Sequence, residues 1–413
     1  MLYHLYDWQH AMVAPSRVFA ETLQHLFSHP LLPISYTKLG RAIAAGSEIY
    51  ERSTRRYKKP EFGLSHTTID GETVPVDLET VATKPFCNLL HFRRETERND
   101  PKVLLVAPLS GHYATLLRGT VEGLLPQHDV YITDWISAAE VPIEKGRFDL
   151  DDYIDYLIGF LRQLGPEVHI IAVCQPSVPV LAAVSIMSAE NDPATPRSMT
   201  LMGGPIDTRV NPTQVNQLAA GRSIEWFEHA VITPVPATYP GFMRRVYPGF
   251  LQLTGFMTMN LDRHFGSTIR HFQHMVRGDG ESAAGHRKFY DEYLSVMDLT
   301  AEFYLQTVKT AFQDHALPLG TMKSRGRPVE PAAIRKTALM TVEGELDDIS
   351  GVGQTFAAHG LCSSLPPAKR RHLLQKQVGH FGIFNGKKWR AEILPQVSEF
   401  IRANQGQAMK RAG

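Results

Sequence analysis

The chain has 413 residues, 43% of them hydrophobic and 21% charged, an ordinary globular composition that can fill a sizeable core. With 43 Lys and Arg against 42 Asp and Glu the net charge is +1, which excludes an overall field that draws in nucleic acid or an anionic membrane. The three cysteines, Cys87, Cys174 and Cys362, are far apart and form no CxxC pair, which argues against a structural zinc or other metal site and against a disulfide framework, and fits a reducing compartment.

Residues 1–65 read as a helical segment with breaks at Pro30, Pro33 and Pro60. Its first residues lack the basic start and unbroken apolar stretch of a signal peptide. No apolar run elsewhere is long enough to span a bilayer, so the expectation is a soluble, cytoplasmic protein. Strand signals begin around the Asp70-Gly71 turn and at Phe86 to Arg94. Val103 to Ala107 and Val130 to Thr133 are continuous apolar runs, as strands buried on both faces require. Leu150, Tyr153, Ile154, Leu157, Ile158 and Leu161 mark one face of an amphipathic helix that Gly165-Pro166 ends. Val168 to Val173 is the next buried strand, Val178 to Met187 an apolar helix, and Ser198 to Met202 another strand closed by Gly203-Gly204-Pro205. This alternation predicts a mostly parallel sheet covered by helices, with residues 66–205 as its first part.

The pattern stops over 206–332, a stretch rich in Pro, Gly and aromatics such as Trp226, Phe227, Tyr239, Phe242, Tyr247, Phe250, Phe256 and Phe265. It resumes at Ala338 to Val342, continues at Arg371 to Leu374, and ends in a helix bearing Trp389, Ile393, Val397, Phe400 and Ile401 on one side, with a bend at Pro395. The economical reading is a core of residues 66–205 and 333–413 interrupted by a mainly helical cap, 206–332.

The strand–Cys174–helix junction carries the chemistry. A nucleophile at a sharp strand-to-helix turn stands above the sheet beside backbone N–H groups, the arrangement of the G-x-S-x-G elbow. Here the five residues are Ala172-Val173-Cys174-Gln175-Pro176. Ala172 is small enough for the turn, and Pro176 fits a first helical turn, where its missing N–H has no partner to lose. A lone cysteine at a strand end is often inert core. What favours the functional reading is the order nucleophile, acid, histidine of α/β-hydrolases. Asp347 follows the late strand in Gly344-Glu345-Leu346-Asp347-Asp348, and His380 stands in Gly379-His380-Phe381-Gly382 before the final helix. His380 would take the thiol proton or stabilise the thiolate, and Asp347 would hold its tautomer. The oxyanion site would use the N–H of Gln175 and one from Pro108-Leu109-Ser110-Gly111-His112, with Leu109 as the donor chosen. Ser110 and His112 are candidates for lining the site, His112 equally for bracing a loop. Ser110 and Ser177 are rival nucleophiles off the elbow apex, and Asp348 is the rival acid.

These segments, with Met1-Leu2-Tyr3, Ala107 to Gly119, Val178 to Ala183, Met202 to Asp207, Tyr247 to Gln252, Phe289 to Tyr293, Met340 to Gly351 and Gly379 to Phe384, resemble the intracellular poly(3-hydroxybutyrate) depolymerases of bacteria over nearly the whole chain. The resemblance implies an α/β-hydrolase fold with an inserted cap, and a Cys174-Asp347-His380 triad. It also implies cleavage of amorphous polyester through an acyl-thioester, at storage granules in the cytoplasm. The polymer or its oligomers and the granule surface are the implied partners. Nucleic acid is not among them, and homo-oligomerisation stays open. No cofactor is required, with coenzyme A a candidate acyl acceptor. The aromatic insertion would offer a groove for a greasy chain or pack its own core. Tyr3, Leu5 and Trp8 of the first helix would dock on the core or meet the granule. Two rivals share the pattern. One is a polyester synthase-like acyltransferase, a type typically longer and with glycine in place of Pro176. The other is a non-catalytic granule-associated protein.

Overall fold

Uninterrupted apolar runs can only be strands if both faces are covered, and that is how they sit. The computed structural model describes residues 2–259 and 261–406. Met1 of the first resembling motif and residues 407–413 of the last segment lie outside the described residues. The strands are β1 (His66–Ile69), β2 (Glu72–Lys84), β3 (Cys87–Arg94), β4 (Lys102–Val106), β5 (Asp129–Trp135), β6 (Val168–Val173), β7 (Ser198–Met202), β8 (Ala338–Gly344) and β9 (Arg370–Gln375). They form one sheet in the order β1-β2-β3-β5-β4-β6-β7-β8-β9. From β5 to β9 every neighbouring pair is parallel, while β1, β2 and β3 run antiparallel along one edge. β6, the strand that ends at Cys174, lies between β4 and β7, so its carboxyl end opens at the middle of the sheet.

Helices cover the sheet for reasons visible in their sequences. The helix α4 (Leu150–Leu164), which follows α3 (Arg118–Leu124), buries the predicted stripe. It begins on a capping box between Asp149 and Asp152 and ends at Gly165 with φ of 86°. The next helix, α5 (Ser177–Ala189), has no polar face and is buried from Ser177 to Met187. Sheet order, crossovers and the inserted cap together are those of an α/β-hydrolase fold.

The N-terminal segment is a packed pair, α1 (Leu2–Ser28) and α2 (Lys38–Thr54). Pro15 sits inside α1, where the chain stays helical despite the lost N–H. Between β7 and β8 come α6 (Gln214–Ala220), α7 (Ile224–Val231), α8 (Gly249–Met259), α9 (Leu261–Arg277), α10 (Gly280–Tyr293) and α11 (Ala301–Thr307). Small strands accompany them: Thr233–Pro234, Arg245–Tyr247 and Leu299–Thr300 form a three-stranded sheet, and Lys323–Ser324 pairs with Arg327–Pro328. Strands of two or three residues are too short to show alternation in sequence. The later part of the insertion also reaches the main core, through Met297, Phe303, Leu317, Met322 and Val329. The irregularity at Pro395 is a π turn, Trp389–Ile393, leading into the helix Leu394–Ala403 with Pro395 in its first turn. Among the described residues no helix is long and apolar enough to cross a membrane.

Candidate active site

Cys174 has φ of 68°, in the left-handed region that residues other than glycine rarely occupy. The flanking elements hold it there. Its N–H continues the ladder to Met202 O at 2.7 Å, and its own carbonyl accepts from Ser177 N at 3.1 Å as α5 starts. Strand and helix are thus joined by only three residues, Cys174 to Pro176, and the thiol is left half-buried at the turn. Strain of this kind persists where the surroundings over-determine the backbone, as they do at reactive turns.

The loop after β8 delivers Asp347. Its Oδ1 accepts the N–H groups of Ile349 and Ser350 at 2.9 and 2.8 Å. Its Oδ2 accepts from His380 Nδ1 at 2.8 Å. Both side chains are almost wholly buried, 1% and 5% exposed. Asp348, one residue on, is exposed. Burial by itself would lower the His380 pKa. The charges of Asp347 and Cys174, with hydrogen bonds to both, overcome burial and raise it well above the ordinary imidazole value. His380 therefore faces the carboxylate on one side and the sulfur on the other. The structure thus brings together the three residues from β6, the β8 loop and the loop before the last helix.

Gly203 and Gly204, singled out in sequence only as a strand end, make the close packing possible. A Cβ on Gly203 would lie 2.7 Å from Ile383 Cδ1, 3.2 Å from His380 Cε1 and 3.3 Å from Asp347 Oδ2. Gly203 also has φ of 57°. A Cβ on Gly204 would meet Ser177 Oγ at 2.0 Å. Ser177 is fully buried under the elbow, away from the position of an attacking hydroxyl. A glycine pair directly after a buried strand, next to the strand that leads into Cys174, was the available signal. Glu343 was missed as well. It is buried on β8, and its carboxylate accepts from the N–H groups of Gly353, Thr355 and Phe356. Thr355 Oγ1 in turn bonds both N and O of Gly204, tying the acid's loop to the elbow.

Among the described residues, neither Gln175 N–H nor Leu109 N–H donates to a protein acceptor. Gln175 lies directly after Cys174, and Leu109 is buried on the loop after β4. Ser110 is half-buried. His112 is buried and bonds Tyr293 O through Nε2 at 3.0 Å, so its Nε2 carries the proton. Burial lowers its pKa to about 4 and keeps it neutral. Met297 N donates to Gly111 O at 2.7 Å, and His112 pairs with Val296 as a β-bridge. His112 is thus a brace between this loop and the cap.

The aromatic residues of the insertion divide. Phe227 is buried, Tyr247 packs on Tyr304, and Trp226, Phe242 and Phe265 are exposed. Over the site itself α10 supplies a roof. Phe289 and Tyr293 stack at 5.6 Å, and both lie near Phe381, at 6.1 and 5.8 Å, beside His380. Among the described residues no group of three or more His, Cys, Asp or Glu is placed to hold a metal ion.

Residues 203–405 match the family model described as PHB de-polymerase C-terminus. Among solved structures, a putative lipase from Acinetobacter baumannii AYE is 13% identical, with a TM-score of 0.43 and coverage of 80% of this chain and 93% of that one. A thermophilic esterase from Thermogutta terrifontis is 12% identical, with a TM-score of 0.41 and coverage of 83% and 98%. A monoacylglycerol lipase from Paleococcus ferrophilus is 12% identical, with a TM-score of 0.41 and coverage of 74% and 96%. No curated protein matches the chain in sequence.

Proposed function

We propose that this ester hydrolase, whose residues 203–405 match the family model described as PHB de-polymerase C-terminus, cleaves amorphous poly(3-hydroxybutyrate) with Cys174 as nucleophile. The observation that carries this reading is the left-handed elbow at Cys174 facing a His380 that is itself bonded to buried Asp347. His380 takes the thiol proton, and Sγ attacks the ester carbonyl carbon. The oxyanion accepts from Gln175 N–H and Leu109 N–H. The intermediate collapses to an acyl-thioester, and the departing alkoxide takes the proton from His380. Water then attacks with His380 as base, the carboxylic acid leaves, and the thiol is restored.

A thiol is a second acceptor for the same intermediate. Moving an acyl group from one sulfur to another conserves the thioester and is nearly balanced in free energy, and a thiolate outcompetes neutral water as a nucleophile. Coenzyme A in that role would yield 3-hydroxybutyryl-CoA in place of the free acid. The setting is the cytoplasmic storage granule, whose polymer is the implied substrate. The test is product analysis by mass on amorphous polymer with and without coenzyme A. The expected products are free acids and oligomers alone, and the acyl-CoA in addition when the thiol is present. Free products at a rate indifferent to coenzyme A remove the thiolysis step and leave the hydrolase. Polymer growth from 3-hydroxybutyryl-CoA makes the protein a synthase. Binding to polymer without any released product makes it a granule coat.

A further inference from the structure

The two faces of α1 meet different neighbours. The inner face is pinned along its length. Tyr3 donates from its hydroxyl to the carboxylate of Asp298, which also accepts from Gly249 N–H at 2.7 Å. Tyr6 stacks on Phe250, His10 bonds Thr54 O at 3.1 Å, and Arg17 donates to the same carbonyl at 2.6 Å. Gln24 donates to Glu48 at 3.2 Å. The helix therefore cannot roll, and what it shows outward is a fixed surface.

That outward surface carries an apolar row flanked by His4, Gln9, Ser16, Thr22 and His25. Leu5, Trp8, Met12, Val18, Phe19 and Leu26 are all exposed over half or more of their area, Trp8 at 61% and Phe19 at 64%. Beyond the helix the exposed apolar surface continues through Leu31, Tyr36 and Leu39. A second apolar row, Leu261, Phe265 and Ile269, lies on α9, the cap helix packed against α2. Scattered exposed apolar side chains need no explanation, but a contiguous set on a pinned helix marks an interaction surface.

Charge and breadth decide what covers it. Helices that lie on anionic membranes carry Lys and Arg along their polar flanks. Within α1 the charged residues are Asp7, Arg17 and Glu21. Asp7 is bonded to Arg56 and Arg17 to the Thr54 carbonyl, which leaves Glu21 as the exposed charge. A seam for a second copy would be a narrow a/d stripe. Leu5, Trp8, Met12, Phe19 and Leu26 follow that spacing, but Val18 lies off it and the exposed apolar surface runs on past the helix through Leu31, Tyr36 and Leu39. An apolar face with so little charge, continued beyond the helix, complements a neutral apolar phase. It is also linked, through α2, to the roof over the site. The helix α2 packs on α9 and is tied by Arg52 to Asp291 of α10, the helix whose Phe289 lies over Phe381 next to His380.

We propose that the outer face of α1 is the surface by which the protein lies on amorphous polyester, an inference that rests on the depolymerase reading above. Full-length protein and the triple variant Trp8→Ser, Met12→Ser, Phe19→Ser are sedimented with protein-free amorphous poly(3-hydroxybutyrate) particles. They are sedimented in parallel with phosphatidylcholine and phosphatidylglycerol vesicles. Both are also assayed on soluble 3-hydroxybutyrate trimer and sized in solution. Wild type should sediment with the polymer, and the triple variant should bind it about a hundredfold more weakly, with trimer turnover and molecular mass unchanged. Trp8→Ser alone should show about a tenfold loss, and the apolar replacement Trp8→Leu should keep most of the binding. Equal polymer binding by the triple variant overturns the proposal. So does a wild type that is heavier than the variant, which makes the face a contact between copies, or one that prefers anionic vesicles. A wild type that cleaves the trimer while the triple variant still binds polymer leaves the depolymerase standing without the surface. A wild type that cleaves neither trimer nor polymer removes the depolymerase reading and this proposal with it.

Discussion

Asp347 holds His380 with one oxygen and is itself held by the other. Oδ2 accepts from His380 Nδ1 at 2.8 Å, while Oδ1 accepts from Ser350 N at 2.8 Å and Ile349 N at 2.9 Å. The carboxylate cannot rotate without giving up two backbone donors, so the imidazole is aimed by the β8 loop. Asp347→Asn should lower kcat by about 10⁴, as loss of a triad carboxylate does. Asp348→Asn, at an exposed position, should leave it within about twofold. The same change removes the charge that raises the His380 pKa against burial. The His380 imidazole should therefore titrate at lower pH in Asp347→Asn than in wild type, as followed by NMR. Equal kinetic losses at the two positions would reverse the assignment.

Cys174→Ala should abolish ester cleavage, by about 10⁴ or more, with the fold retained. Thiol alkylation of the native protein should mark Cys174 before the other two cysteines. Cys87 and Cys362 are fully buried, and burial raises both thiols, Cys362 to about 12. Peptide mapping after brief treatment checks this, and labelling spread evenly over the three thiols would count against Cys174 as the reactive one.

Gly203→Ala should strain the site without emptying it. The new Cβ meets Ile383 and His380, and the backbone at φ of 57° disfavours any side chain. The expected cost is about 1–3 kcal/mol of stability, with a loss in kcat larger than the change in KM. Gly285→Ala, where nothing lies within 4 Å, should be neutral or stabilising by a few tenths of a kcal/mol. Thermal melts and steady-state kinetics on the two variants give the comparison.

Acid should destabilise the protein through its buried neutral histidines. Burial lowers His112, His128 and His169 from 6.5 to about 4. The unfolded chain therefore binds protons between these values while the folded one does not. The stability is fully present above pH 6.5 and falls as pH drops to about 4, by about 3 kcal/mol for a group such as His112. His112→Gln can keep the donor to Tyr293 O and removes one titration. Its denaturation free energy should fall less steeply than that of wild type over the same pH range, and parallel curves would refute the assignment. Its activity should suffer far less than that of His380→Gln.

Much of the architecture was legible in the chain because the strands are buried on both faces. Val103 to Val106 has no polar interruption, Val168 to Val173 has only His169, and the stripe from Leu150 to Leu161 repeats at helical spacing. Local pattern and tertiary burial agree there, so each element could be placed before its neighbours were known. The order Cys174, Asp347, His380 was legible too, since each stands just beyond the end of a recognisable strand. Only the tertiary structure decided that Asp347 and not Asp348 faces the imidazole, that Gly203 and Gly204 clear the space for that contact, and that Glu343 holds the loop that braces them. It also decided that His112 braces the cap, and that Tyr3 is docked while Leu5 and Trp8, two and five residues on, stand in solvent. Side chains one position apart in sequence point to different neighbours, and which neighbour each meets depends on segments more than a hundred residues away. A pattern within one element carries its periodicity, but the identity of the partner exists only once distant elements have packed.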